Sequence, residues 1–269
     1  TIARTVYDVL GRVTSRKIGT NDNGELGGET SGTNNMVTTE ALVYDGGSDS
    51  GNSLLTLRTL YVEDGTSGQR QTAYTYDYRG RLIVTANPQA PHSVAKYDNL
   101  GRLIASGLFS SSSGLTAGTD PTTTTSSRVA LSQTFYDERG QVWKSQRHKI
   151  TQSTGADADN LQTLNWYDPD GRLIKTDGEQ LTKTRYDRLG RVIQSFTLAS
   201  DNDAAGTYSD VYDSTNKFAS VTGDKVLEEL QAGYNGVEDE VLVPGSIERK
   251  HDDTTTTGPL DTTYDGGDG

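Results

Sequence analysis

The chain is 269 residues long, with 32% hydrophobic residues and a mean hydropathy of −0.65, little apolar material for a thick globular core of that size. A net charge of −12 and a pI near 4.7 argue against a nucleic-acid partner, because phosphate backbones are held by basic patches. The absence of cysteine removes disulfide and thiol chemistry, and no apolar run is long enough to span a membrane.

In chain order, the first recognisable element is the phrase Tyr7-Asp8-Val9-Leu10-Gly11-Arg12. Copies follow with Tyr76, Asp77, Gly80 and Arg81; with Tyr97, Asp98, Gly101 and Arg102; and with Tyr136, Asp137 and Gly140, where Gln141 replaces the arginine. Two more carry Tyr167, Asp168, Gly171 and Arg172, then Tyr186, Asp187, Gly190 and Arg191, while worn versions begin at Tyr44 and Tyr212. Repetition of this kind marks an array of one supersecondary unit. From Asp to Gly the phrase fits a type I turn, with Asp at its first position and Gly at its fourth. The Asp carboxylate accepts from an amide two residues on, and Gly takes the positive φ that returns the chain after a three-residue loop. Pro169 falls where its fixed φ already suits the turn.

The flanks, such as Thr72–Tyr76 before a turn and Arg81–Thr85 after it, are β-branched and aromatic, so each copy reads as a β-hairpin. Tyr and Arg of one copy are expected to face each other across the hairpin, guanidinium on ring. Tyrosines 7, 44, 76 and 97 are spaced by 37, 32 and 21 residues, and 97, 136, 167 and 186 by 39, 31 and 19. The pattern implies a super-repeat of about 90 residues holding three hairpins. Accumulated twist then bends so long a sheet. The fold class is all-β: an array of antiparallel YD-repeat hairpins forming a curved or spiralling sheet, wet on one face.

Residues 1–215 form this array, and 216–269 read as its degenerate continuation with no clear boundary. There, Val226–Gln231 fits a helical turn or a strand, Tyr234-Asn235-Gly236 a tight turn, and Tyr264-Asp265 one more copy. Three stretches are low in complexity: Thr20–Asn35, Ser110–Ser127 and Asp252–Gly269. The first two occupy equivalent places in successive super-repeats and read as solvent loops, a ridge that in repeat proteins is often the binding face. Lys144–Lys149 reads as a solvated strand edge. Thr1 already lies within a strand-like phrase, so the chain reads as a piece of something longer.

Catalytic chemistry finds no constellation. His92, His148 and His251 are isolated surface residues by this reading, without metal-site spacing, and no nucleophile elbow occurs. Acidic clusters at Asn21–Glu25, Asp157–Asn160 and Asp201–Asp203 lack the EF-hand spacing with its distal Glu. The turn aspartates are committed to their turns. No cofactor or metal is expected, and an enzyme is not.

The recurring Tyr-Asp-x-x-Gly-Arg with its hydrophobic continuation resembles the YD repeats of the Rhs family, which includes polymorphic bacterial toxins, insecticidal toxin-complex components and teneurins. The resemblance implies hairpins wound into a hollow shell, and for this chain a non-enzymatic wall segment of a larger secreted or cell-surface bacterial protein. Implied partners are other repeats of the same longer chain, copies of itself, and an enclosed cargo or a surface glycan. The chain lacks the paired Asp-Pro-x-Gly phrases of an autoproteolytic plug and a variable toxin domain. An adhesive, carbohydrate-binding fibre module is the alternative, favoured by exposed aromatic rows; tyrosines packed on arginines favour the wall.

Overall fold

A computed structural model describes residues 1–24, 34–48, 51–62, 68–201, 203, 207–208, 224–234, 240–241 and 247–249. The described residues are all-β, with no α-helix among them. The strands are β1 (Ile2–Tyr7), β2 (Val13–Gly19), β3 (Val37–Tyr44), β4 (Leu55–Leu60), β5 (Arg70–Tyr76), β6 (Leu82–Ala86), β7 (His92–Tyr97), β8 (Leu103–Phe109) and β9 (Arg128–Tyr136). They continue as β10 (Val142–Ile150), β11 (Asp157–Tyr167), β12 (Leu173–Asp177), β13 (Leu181–Tyr186), β14 (Val192–Ser200), β15 (Lys225–Gln231), β16 (Gly233–Tyr234), β17 (Glu240–Val241) and β18 (Ile247–Arg249). Sheet order follows chain order from β1 to β15, and β18 lies beyond β15. Such a topology is what a run of hairpins produces without crossovers. Val226–Gln231 is thus strand, within β15, rather than a helical turn. Tyr212, His251 and Tyr264 lie outside the described residues, as does part of the Tyr234-Asn235-Gly236 phrase.

Two compact units are distinguished, Thr1–Gln133 with Arg147–Asn160, and Thr134–Gln146 with Leu161–Gly269. In the first, each phrase turns one strand into the next with the same register. Tyr7 faces Val13 while Val6 faces Ser15, Tyr76 faces Leu82 while Thr75 faces Val84, and Tyr97 faces Leu103 while Lys96 faces Ala105. One residue of the returning strand is skipped each time: Thr14, Ile83 and Ile104. This β-bulge re-aims the chain just past the turn. It lets the consecutive residues Ile83 and Val84 both be buried, where strict alternation would expose one.

The core of this unit is Ile83, Val84, Val94 and Phe109, with Tyr97 and Leu115 packed on it. Leu115 comes from Ser110–Ser127, so this stretch is not a solvent ridge. It folds back over the sheet, its Pro121 fully buried and its Asp120 paired with Lys96 of β7. Gly107 of β8 makes room, since a Cβ there would lie 2.8 Å from Pro121 Cβ and 2.9 Å from the Phe109 ring. A polar composition hides the role because threonines and serines hydrogen-bond within the loop, as Thr122 and Thr116 do. The first low-complexity stretch behaves alike at its described end: Asn34 and Met36 are buried and Asn35 Oδ1 accepts from the Thr20 and Asn21 amides.

The second unit repeats the hairpin register. Tyr167 faces Leu173 and Tyr186 faces Val192, skipping Ile174 and Ile193. Its core is Phe196 and Leu198 with Leu181 and Val226. Where the first unit pairs Val84 with Val94, this one pairs Lys175 with Lys183.

Three further expectations are corrected. His92 is buried and the His148 side chain is only 5% exposed, so neither is a surface histidine. Lys144–Lys149 belongs to β10, which has neighbours on both sides, and Lys144 Nζ lies 5.0 Å from the Phe135 ring centre. The acidic run Asp157–Asn160 is the start of strand β11, not a loop.

Candidate functional site

The repeated phrase builds one recurring constellation, and its geometry starts at the turn. In all six copies the Gly amide donates to the Asp carbonyl at 3.0–3.1 Å, and the Asp amide donates to the carbonyl four residues on at 2.9–3.0 Å. The turn glycines stand at φ between 76° and 88°. With a three-residue loop, the pair that closes the hairpin is therefore Asp and Arg, and Tyr sits one step further out. That spacing overturns the expected contact between Tyr and Arg of one copy.

Asp is instead the hub of its own turn. In the copy at 77, Oδ1 accepts from the amides of Arg79 and Arg81, both at 2.9 Å, and Oδ2 accepts from Arg81 Nε at 2.7 Å. Asp8, Asp98, Asp168 and Asp187 bind their own Arg12, Arg102, Arg172 and Arg191 the same way. Asp137 receives the Arg139 and Gln141 amides. Burial pushes the carboxyls of Asp8, Asp77, Asp98 and Asp168 upward, but the hydrogen bonds and charge of the arginine outweigh it and hold them below the usual carboxylate range. At Asp187 the Arg191 amide is the largest influence, with the same lowering.

Arginine uses its remaining nitrogen and its flat face on the next hairpin. Arg81 Nη1 donates to the Asp98 carbonyl at 2.8 Å, and its guanidinium lies 5.0 Å from the Tyr97 ring centre. Arg172 repeats this on Asp187 (3.1 Å) and Tyr186 (5.2 Å). Arg12 does so on Tyr44 (4.8 Å), and there Nη1 meets the Asp45 carboxylate at 2.6 Å. In return, the tyrosine hydroxyl of the later hairpin donates to a carbonyl of the earlier one: Tyr76 to Leu55, Tyr167 to Val142 and Tyr186 to Leu173, at 2.8–2.9 Å. Burial first, then nearby carboxylates, raises Tyr167 and Tyr186 above the ordinary phenol value. Gln141, in the arginine place, donates to the Gly171 carbonyl at 2.8 Å. The fork of Arg fits this triple duty where the single ammonium of Lys would not. At Arg12, Arg81, Gln141 and Arg172 the phrase is a clasp from one hairpin to its successor.

No family model matches the chain. No curated protein matches it either. Among solved structures, the crystal structures of TcdB2-TccC3-Cdc42 and TcdB2-TccC3-TEV are similar to 87% of this chain at 13% identity, with TM-scores of 0.31 and 0.32. A Photorhabdus luminescens Tc holotoxin pore with a TccC3 mutation gives 13% identity and a TM-score of 0.30. The chain spans only 13–14% of those chains.

Away from the clasps, buried charges fasten the long connections, and sequence reasoning missed them. Arg128, 2% exposed, donates to the carbonyls of Gly155 (3.0 Å) and Pro121 (2.9 Å) and to Asp157 Oδ1 (2.6 Å). Asp157 Oδ2 is 3.2 Å from His148 Nδ1. In the second unit, Lys175 meets Asp201 and Asp203, and Lys183 meets Asp203 and Asp224. Each of the three acidic clusters thus has a carboxylate facing a cation, Asp22 on Arg4, Asp157 on Arg128, and Asp201 and Asp203 on Lys175, and no group of three metal-ligating side chains occurs among the described residues. One signal was available: lysines at 175 and 183 stand at the super-repeat positions held by Val84 and Val94.

Proposed function

We propose that this chain is a structural, non-enzymatic wall segment of a larger secreted or surface YD-repeat protein of bacterial origin, a shell or tube that encloses or shields. The clasp carries this reading. Residues repeated for catalysis would converge on one cleft, whereas Arg12, Arg81, Gln141 and Arg172 each tie their own hairpin to the next. Residues 216–269 continue the array under this reading, and the partners are further YD hairpins of the same longer chain or of another copy. Tyr7, on edge strand β1, is 59% exposed and offers the ring that a preceding arginine would cover, as Arg81 covers Tyr97.

The adhesive reading needs rows of free aromatic rings. Tyr44, Tyr97 and Tyr186 lie instead beneath arginines. Electron microscopy of the parent protein combined with a glycan array separates the two: a closed or tubular wall with no selective glycan binding is expected, and selective binding by a solid fibre would reject the wall.

A further inference from the structure

The Lys183 site contains a reactive geometry that a wall of hydrogen bonds does not require. Lys183 Nζ lies 2.6 Å from Asp224 Oδ2 and 3.1 Å from Asp203 Oδ2. The three side chains are 1%, 0% and 1% exposed. The amine, the carboxyl that would acylate it, and a second carboxylate touching that amine are therefore enclosed together. Lys175 Nζ binds the other side of the group, at 2.8 Å from Asp203 Oδ2 and in contact with Asp201. Three carboxylates and two ammonium groups thus meet in one cluster. The reacting form is the neutral pair, amine and carboxylic acid, reached when Lys183 Nζ passes a proton to Asp224 Oδ2 across their 2.6 Å contact.

We propose that Lys183 and Asp224 form an intramolecular amide bond, with Asp203 as the proton-transfer residue. The Nζ lone pair attacks Asp224 Cγ, forming the C–N bond. Asp203 takes a proton from Nζ and returns it to the departing hydroxyl; the C–O bond breaks and one water leaves. The step is redox-neutral and needs no co-reactant. Holding amine and carboxyl in contact supplies the effective concentration that free amines and acids lack. Lys175 stays cationic beside Asp203: burial lowers its affinity for the proton, but Asp201 and Asp203 more than restore it. The product would fix β13 to the residue just before β15, across a separation of 41 residues, a covalent tie in a chain without cysteine.

Intact-mass measurement of the purified chain, its fold checked by circular dichroism, decides the matter. The expected mass is one water below that of the sequence, with a protease-resistant Lys183 and a branched peptide joining it to Asp224. Lys183→Arg and Asp203→Asn are each expected to restore the full mass, while Lys175→Arg keeps the deficit. Full sequence mass in the folded wild-type chain would overturn the proposal and leave an ordinary buried ion cluster, and a branch at Lys175 instead would overturn the assignment to Lys183. A deficit surviving Asp203→Asn would overturn the role given to Asp203.

Discussion

Replacing Arg81 by Ala removes one clasp while leaving both of its turns intact. Asp77 keeps the backbone amides of positions 79 and 81, so its turn stays closed. Two contacts to the next hairpin disappear. The hydrogen bond from the charged Arg81 Nη1 to the Asp98 carbonyl, 2.8 Å long, is of a class that contributes about 1.5–3 kcal/mol. The guanidinium over the Tyr97 ring adds about 0.5–1 kcal/mol where solvent still reaches it. Arg81 is 24% exposed, so the lower ends apply, and the expected loss from these two contacts is about 2 kcal/mol, to which the lost Arg81–Asp77 ion pair adds about 0.2–1 kcal/mol. The substitution Arg81→Lys keeps the charge but neither the fork nor the planar stack, and roughly half the loss is expected. Urea denaturation reads these values, with exposed Arg70 replaced by Ala as the surface reference. A double-mutant cycle with Tyr97→Leu should give a coupling of about 0.5–1 kcal/mol. Arg81→Ala no more destabilising than Arg70→Ala, or zero coupling to Tyr97, would refute the clasp.

Other outcomes follow from the same geometry. Gly101→Val should cost more than about 1 kcal/mol although open space surrounds the site, because φ is +86° there; equal thermal stability would reject the turn. Phe109→Ala should cost about 3–5 kcal/mol, since Phe109 is fully buried under the Ser110–Ser127 stretch, and limited proteolysis should then cut that stretch first. The turn carboxyls of Asp8, Asp77, Asp98, Asp168 and Asp187 have folded pKa values below their unfolded value of 3.8. Their stabilisation is therefore complete above that value and lost as pH falls through the lower folded ones. Acid denaturation should begin below about pH 4, with a shallower dependence in the Asp77→Asn and Asp187→Asn double variant; an unchanged profile would remove these carboxyls as its origin.

The hairpins were legible because turn chemistry is local. Asp, Gly and Pro169 act within four residues, so one phrase specifies one turn wherever it occurs. The super-repeat was legible as spacing. The destination of the arginine was not: Arg81 reaches Tyr97 across a strand pair, and nothing within the six-residue phrase tells the neighbouring hairpin from the home one. Counting the loop would have helped, since three loop residues make Asp and Arg the closing pair. The long loops were misread for a related reason. Ser110–Ser127 is polar in composition, yet Leu115 and Pro121 carry the packing, and Gly107 is the only local hint that something presses on the sheet. The buried lysines defeat a hydropathy reading because their carboxylates lie 28 and 41 residues away.

A density map of the parent protein by electron cryomicroscopy, at a resolution that places side chains, tests the wall-and-clasp reading most directly. It should trace hairpin after hairpin, hydrogen-bonded in chain order, with the Arg81 guanidinium on the Tyr97 ring and the Tyr7 ring covered by an arginine from a further hairpin. Arginines turned onto tyrosines of their own copies, or hairpins gathered around a single enclosed catalytic cleft, would contradict it.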